Sequence, residues 1–177
     1  DNLIEILPLL KKQGVIMLQE MQQLEAMAYQ HWLKESHQDD TLESLKKAWY
    51  KMPKHLHAEP DLVLAYAEKM ISQKDTQEAE GALKTALKKQ WDEGLIYLLG
   101  QFRSENPSKT LSWAEGFLKA HTESGNLLLT CGRLAAQNEL WGKAERYLEA
   151  CLGLEHKAEA YALLGLIYEK MGKSELG

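Results

Sequence analysis

The sequence predicts an all-α fold, a solenoid of antiparallel helix pairs, and three observations carry that prediction. Small residues recur at a nearly fixed interval, with Ala67, Gly100, Gly132 and Gly165 lying 33, 32 and 33 positions apart. A period of roughly twenty to fifty residues marks an array in which no single unit can bury its own apolar face. Twelve positions after Ala67, Gly132 and Gly165 comes another small residue, Ala79, Ala144 and Gly177, a spacing that lets two antiparallel helices touch backbone to backbone. Around these positions the apolar residues fall on one helical stripe: Tyr66, Leu99, Cys131 and Leu164 precede the first small residue, and Met70, Ala135 and Tyr168 follow it. Leu83 with Ala86, and Leu148 with Cys151, continue the second helix of two pairs at i+4 and i+7.

Taken in order, LIEILPLLKKQG reads as a short helix ended by Gly14. From about Met17 to Glu35 no proline or glycine interrupts the chain, and Leu18, Met21, Leu24, Ala28 and Trp32 lie near one stripe, with Gln19, Gln22, Gln23 and Lys34 off it. After SHQDDT a helix from about Leu42 to Tyr50 is expected, with Asp40 or Thr41 as N-cap and Glu43 at the positive end of the dipole. The loop MPKHLHAEP leads into the clear repeats. One repeat departs from the spacing: in RSENPSKT, Asn106-Pro107 enforces a turn, and if Ala114 and Leu118 are the small and apolar positions of the next helix, this turn carries two extra residues. Such an insertion leaves the packed faces untouched. The expected organisation is a helical N-terminal part over 1–57 with degenerate pairs, then repeats over 58–177, divided at about 58–91, 92–124, 125–157 and an incomplete 158–177.

The segment AEAYALLGLIYEKMGKSELG, with Tyr161, Leu164, Gly165, Tyr168 and Gly172 in place, resembles the tetratricopeptide repeat, a helix-turn-helix unit of about 34 residues. The longer stretch from Leu127 to Gly172 is similar to the HemY-type family of tetratricopeptide proteins. Its elements are Leu127 to Leu129, Gly132 to Leu134, Asn138 through Ala144, and Tyr147 through Ala150. Upstream, LIEILPLLKK, the helix with Trp32, the segment from Trp49 to Pro53, and LKKQWDEGLI followed by Asn106-Pro107 extend the resemblance over nearly the whole chain. It implies a bacterial inner-membrane protein linked to late haem or protoporphyrin formation. The repeat domain would be cytoplasmic, and two N-terminal membrane helices, absent from this sequence, would anchor it. The family brings no established catalytic residues.

Composition excludes several functions. A formal net charge of -5, with lysine and arginine scattered, argues against nucleic-acid binding, which needs clustered cations to replace phosphate counterions. No apolar run reaches the length that spans a bilayer, and no signal segment opens the chain. Cys131 and Cys151 occupy small apolar positions and are expected as buried free thiols. His55 and His57 form the one close histidine pair, in a loop where both rings could face outward, with no third ligand at metal spacing. His121 and His156 fall near helix C-termini. No phosphate loop, nucleophile elbow or catalytic constellation is present, and Glu78, Glu80, Glu145 and Glu149 read as solvated outer-face charges. No enzyme, metal or cofactor is expected. Trp141 is expected to fill the turn within its pair rather than to anchor a partner.

The expected function is a protein-interaction scaffold acting with late haem-pathway enzymes, the alternative a haem or porphyrin carrier using His55, His57 or a groove tyrosine. The resemblance implies a concave groove lined by the first helix of each pair, here Leu64, Glu68, Tyr97, Gln101, Leu129, Arg133, Leu166 and Glu169. That lining lacks a lysine-asparagine clamp for carboxylates, so an extended or helical apolar segment is the expected ligand. The chain begins inside a helix and stops where the second helix of the last pair should pack. Leu164, Ile167 and Tyr168 are therefore expected to be exposed unless a second copy or a neighbour covers them.

Overall fold

The computed structural model describes residues 6–9, 18–35 and 41–172, and every regular element among them is helical. The chain divides into two compact units, Asp1–Trp91 and Asp92–Gly177. The first holds α1 (Leu18–Glu35), α2 (Leu42–Lys51), a 3-10 turn (Leu56–Ala58), α3 (Pro60–Ser72) and α4 (Thr76–Lys89). The second holds α5 (Glu93–Leu99), α6 (Pro107–Glu115), α7 (Gly125–Gln137), α8 (Trp141–Leu154) and α9 (Ala158–Lys170). The expected stop at Gly14, the Asp40 cap and the Gly177 position fall outside the described residues.

Local chemistry starts most of these helices where the sequence places them. Thr41 Oγ1 accepts the Ser44 N–H at 3.2 Å, so the threonine caps α2. Asp75, Asp92, Asn106 and Ser124 cap α4, α5, α6 and α7 in the same way, each offering a side-chain acceptor to an otherwise orphaned first-turn donor. Pro60 and Pro107 open α3 and α6, where the missing N–H costs nothing.

Within the first unit α3 packs on α4 and on α1, and the 3-10 turn packs on α4. Met21 and Ala28 of α1 are buried with Leu7, and Leu24 lies against them, as the stripe predicts. Trp32 is only half-buried, however, and the adjacent Leu33 takes the interior place. On α3 and α4, Tyr66, Ala67, Met70, Ala79, Leu83 and Ala86 are all fully buried. Each large apolar side chain removed from water in this way contributes roughly 1.5–3 kcal/mol before the entropy of ordering is subtracted.

In the second unit α7 is central: α5, α6 and α8 pack on it, and α9 packs on α8 and α7. Gly132 and Ala144 do what their spacing predicts. A Cβ on Gly132 would lie 2.8 Å from Leu148 Cδ2 and 3.7 Å from the Ala144 carbonyl oxygen, so α7 and α8 meet at a contact where any side chain would have to push Leu148 aside. Gly100 plays a different part. It is the C-cap of the seven-residue α5, and a Cβ there would fall 2.6 Å from Thr130 Oγ1 of α7. The longer turn after it is held from α7 as well, where Gln137 accepts the Ser104 N–H at 3.0 Å and donates to the Phe102 carbonyl at 3.1 Å. Ala114 is buried in α6, whereas Leu118 lies past the helix end.

The last helix corrects an expectation. Leu164 and Ile167 are buried where α9 packs on its neighbours, Tyr168 is half-buried, and the large apolar residues left exposed are Tyr161 and Leu166. Cys131 and Cys151 are buried free thiols, and burial pushes the Cys131 thiol up to about 12. No helix among the described residues is long and apolar enough to cross a membrane.

Candidate functional site

Side chains near the beginnings of α5, α7 and α9 converge in the second unit. Ser124, the cap of α7, donates from Oγ to Glu93 Oε2 at 2.8 Å, and Asn126 donates from Nδ2 to the Glu93 carbonyl at 3.2 Å. Asn126 Oδ1 in turn accepts from Lys157 Nζ at 2.6 Å. A second cluster joins the same three helices: Glu159 accepts the Tyr97 hydroxyl at 2.6 Å on one oxygen and Arg133 Nη2 at 2.9 Å on the other. The Arg133 guanidinium lies 5.4 Å from the Tyr97 ring centre, within cation–π range.

Beside these groups is a recess of about 430 Å³ lined by Gly94, Tyr97, Asn126, Lys157, Ala158 and Glu159. The Tyr97 hydrogen bond, followed by Arg133 and Lys157, holds the Glu159 carboxyl below the usual carboxylate range. Arg133 Nη1 is buried with no hydrogen-bond partner among the described residues. An unpaired buried donor of this kind is costly.

Of the residues expected to line a groove, Tyr97 and Arg133 are brought together here. Gln101 is exposed just past α5, and Leu166 and Glu169 are exposed on α9. Leu64 is half-buried and Glu68 exposed on α3 of the first unit. Leu129 is fully buried and presents nothing to a ligand. It shares a helical face with Arg133, but a leucine has no stem long enough to carry it to the surface as arginine does. Asn126, Lys157 and Glu159 were missed by the sequence reading, and Lys157 on Asn126 supplies a lysine-asparagine pair where none was expected.

The first unit has its own recess, about 380 Å³, whose lining includes Lys46, Trp49, Tyr50, His57, Asp75 and Glu78. Trp49 is stacked between Tyr66 and His57, with ring centres 4.0 and 4.7 Å away. His57 Nε2 lies 2.9 Å from the Trp49 carbonyl; since a carbonyl only accepts, this nitrogen carries the proton. The ring is therefore partly buried rather than facing outward, while His55 Nε2 lies 3.2 Å from Glu25. Glu78 is likewise no solvated charge. It accepts the Tyr50 hydroxyl at 2.6 Å and the Tyr66 hydroxyl at 3.1 Å, and Lys46 bridges it to Asp75. The Glu78 hydrogen bond and then burial push Tyr50 up to about 12. Glu80 pairs with Lys84 at 2.5 Å. Trp141 is half-buried at the start of α8. Among the described residues no group of three or more histidine, cysteine, aspartate and glutamate side chains could hold a metal ion.

The geometry is that of an all-helical protein of packed sequential helices with an open recess where polar side chains of three helices meet. Over 175 residues, 99% of this chain, the sequence is 23% identical to Protein HemY of Escherichia coli strain K12. It is 23% identical over the same length to Protein HemY of Shigella flexneri. This is a distant homology, and the chain spans 44% of the length of these relatives. No protein-family model matches the chain, and no solved structure matches it.

Proposed function

We propose that this chain is a non-catalytic protein-interaction scaffold whose helix pairs are tetratricopeptide-type units of a right-handed superhelix. Its partners are the late enzymes of haem or protoporphyrin formation at the bacterial inner membrane, with the repeats on the cytoplasmic side. The HemY similarity supports the pathway and the location. The observation that carries the binding role is the meeting of Tyr97, Arg133 and Glu159 beside an open recess, with aromatic and arginine groups of the kind that dominate interfaces. An extended or helical, largely apolar segment of a partner fits such a surface.

The test is photo-crosslinking in intact cells from a photoreactive residue at Gln101, which is exposed just past α5. The expected result is covalent capture of late haem-pathway enzymes, lost when Tyr97→Ala is combined with Arg133→Glu. Capture that is absent, or unchanged in the double variant, overturns the proposal.

A further inference from the structure

We propose that the recess of the first unit is a guanidinium subsite, and that its occupant is an arginine side chain of a protein partner. The inference goes beyond the scaffold role: it stands on the first unit alone and uses none of the side chains that α5, α7 and α9 bring together. Three observations carry it.

First, the recess holds an acceptor that the protein leaves open. The two hydroxyls that reach Glu78, from Tyr50 and Tyr66, both end on Oε1. The other oxygen, Oε2, lies 3.9 Å from Lys46 Nζ, beyond hydrogen-bonding distance, because that ammonium group is drawn to Asp75 Oδ2. Among the described residues no donor closes on Glu78 Oε2, and the lining carries two carboxylates against one ammonium. The Asp75 and Glu78 side chains are 17% exposed, so water screens the uncompensated charge poorly.

Second, His57 adds a neutral acceptor to the same lining. Its Nε2 carries the proton given to the Trp49 carbonyl, which leaves a lone pair on Nδ1. A planar guanidinium, with donors on three nitrogens, suits acceptors spread around a recess better than the compact head of a lysine.

Third, the walls match the stem and the flat face of arginine. Tyr50 is 65% exposed, yet its hydroxyl is fixed on Glu78 at 2.6 Å, so the ring is positioned without being covered. Arginine stacks on such a face. Along α4 the lining is Gly81, Ala82 and Thr85. A Cβ on Gly81 would meet nothing within 4 Å among the described residues, and Thr85 Oγ1 turns back onto the Gly81 carbonyl at 2.8 Å, which leaves room for a chain of methylenes. At about 380 Å³ the recess is at the small end of ligand pockets. Tyr50, Gln77, Gly81 and Thr85 are exposed, so a partner segment can pass across them with one side chain entering.

The test titrates acetyl-Ala-Arg-Ala-amide into the 177-residue chain, with backbone amide shifts followed by NMR. The same peptide with citrulline, which keeps the shape without the charge, and with lysine are the controls. Saturable shifts are expected with the arginine peptide, largest at Tyr50, Gln77, Gly81 and Thr85. The citrulline peptide should bind roughly tenfold more weakly or worse, as the loss of one charged hydrogen bond requires. The lysine peptide should bind about threefold more weakly for want of a stacking plane. Non-saturating shifts, or equal binding of either control, overturn the subsite, and this comparison needs no variant to fold. Two variants then locate it. Glu78→Gln keeps an oxygen for the tyrosine hydroxyls but puts an amide NH2 in place of Oε2, and Gly81→Leu fills the recess from an exposed helical position that favours leucine over glycine. Each should weaken the arginine peptide roughly tenfold, and unchanged binding in either overturns the assignment. The Gln101 crosslinking experiment plays no part here, so the scaffold role and the subsite fail separately.

Discussion

The same alanine substitution should have opposite effects at two equivalent glycines, and the contrast tests the repeat packing directly. Gly132 and Gly165 are 33 residues apart and both lie inside helices of the second unit. At Gly165 a Cβ meets nothing within 4 Å among the described residues, so Gly165→Ala should stabilise by about 1 kcal/mol, the helix-propensity difference. At Gly132 the added Cβ would stand 2.8 Å from Leu148 Cδ2 and 2.9 Å from its Cγ. Leu148 is fully buried and cannot swing into solvent. Overpacking of this kind costs about 1–3 kcal/mol, which outweighs the same propensity gain and leaves Gly132→Ala destabilising by about 1 kcal/mol. In urea, with a slope of about 2 kcal/mol/M, the two midpoints should move by about 0.5 M in opposite directions. Placing Gly132→Ala in a Leu148→Ala background removes the obstruction, and the substitution should then turn stabilising, a coupling of about 1–3 kcal/mol. If Gly132→Ala raises the midpoint as much as Gly165→Ala does, the close approach of α7 to α8 is wrong.

Three further outcomes are expected. The Lys46 ion pair holds the Asp75 carboxyl below the usual carboxylate range despite partial burial. A folded value below the unfolded one of about 3.9 means that this stabilisation is complete above roughly pH 4 and fades as pH falls through the folded value. The urea midpoint should therefore drop less steeply from pH 4 to pH 2 in Asp75→Asn than in the parent. Because Tyr97 is the largest cause of the lowered Glu159 value, Tyr97→Phe should move the Glu159 titration upward in carboxyl-detected NMR; an unmoved titration would break the link between α5 and α9. Glu139 sits at φ 58 between α7 and α8, a conformation that strains a side chain, so Glu139→Gly should raise stability by about 0.5–1 kcal/mol in the same urea assay.

That last position marks a limit of sequence reading. Among the described residues three turns end in a left-handed residue: Lys74 at φ 64, Glu139 at φ 58 and Gly172 at φ 71. In the first two the chain makes the same pair of bonds, Lys74 N to the Ile71 carbonyl with Asp75 N to Met70, and Glu139 N to Ala136 with Leu140 N to Ala135. This is the Schellman closure. Only Gly172 announces it in its composition, because lysine and glutamate adopt the conformation at a cost that the surrounding packing overrides. The apolar period was visible for the opposite reason: Ala67, Gly132, Leu83 and Leu148 are buried through their size and spacing alone, which survive in a string of letters. The short α5 broke the pattern at Gly100, since a helix of seven residues has too little length to pack on its sequence neighbour α6 as α3 packs on α4 and α7 on α8.

The recess was harder to foresee because its parts are polar and come from repeats that must be laid side by side. Glu93 to Ser124, Glu93 to Asn126 and Asn126 to Lys157 are separations of 31, 33 and 31 residues, close to the repeat spacing itself. The contacts therefore join equivalent ends of successive first helices. Nothing in a polar residue's identity says that it sits at such an end; a serine three residues before an apolar one is equally at home in any cap. What distinguishes Asn126 is that its amide can donate to one repeat and accept from the next, so a single side chain spans the step between α5 and α9. A glutamine could reproduce both bonds only by ordering a longer stem, and an aspartate would lose the donor toward the Glu93 carbonyl while keeping Lys157. The position of the ammonium group over the recess thus depends on an uncharged residue one repeat away. A site of this kind is assembled by the register between helices, which explains why the groove implied by the family resemblance included Leu129 and left Asn126 and Lys157 out.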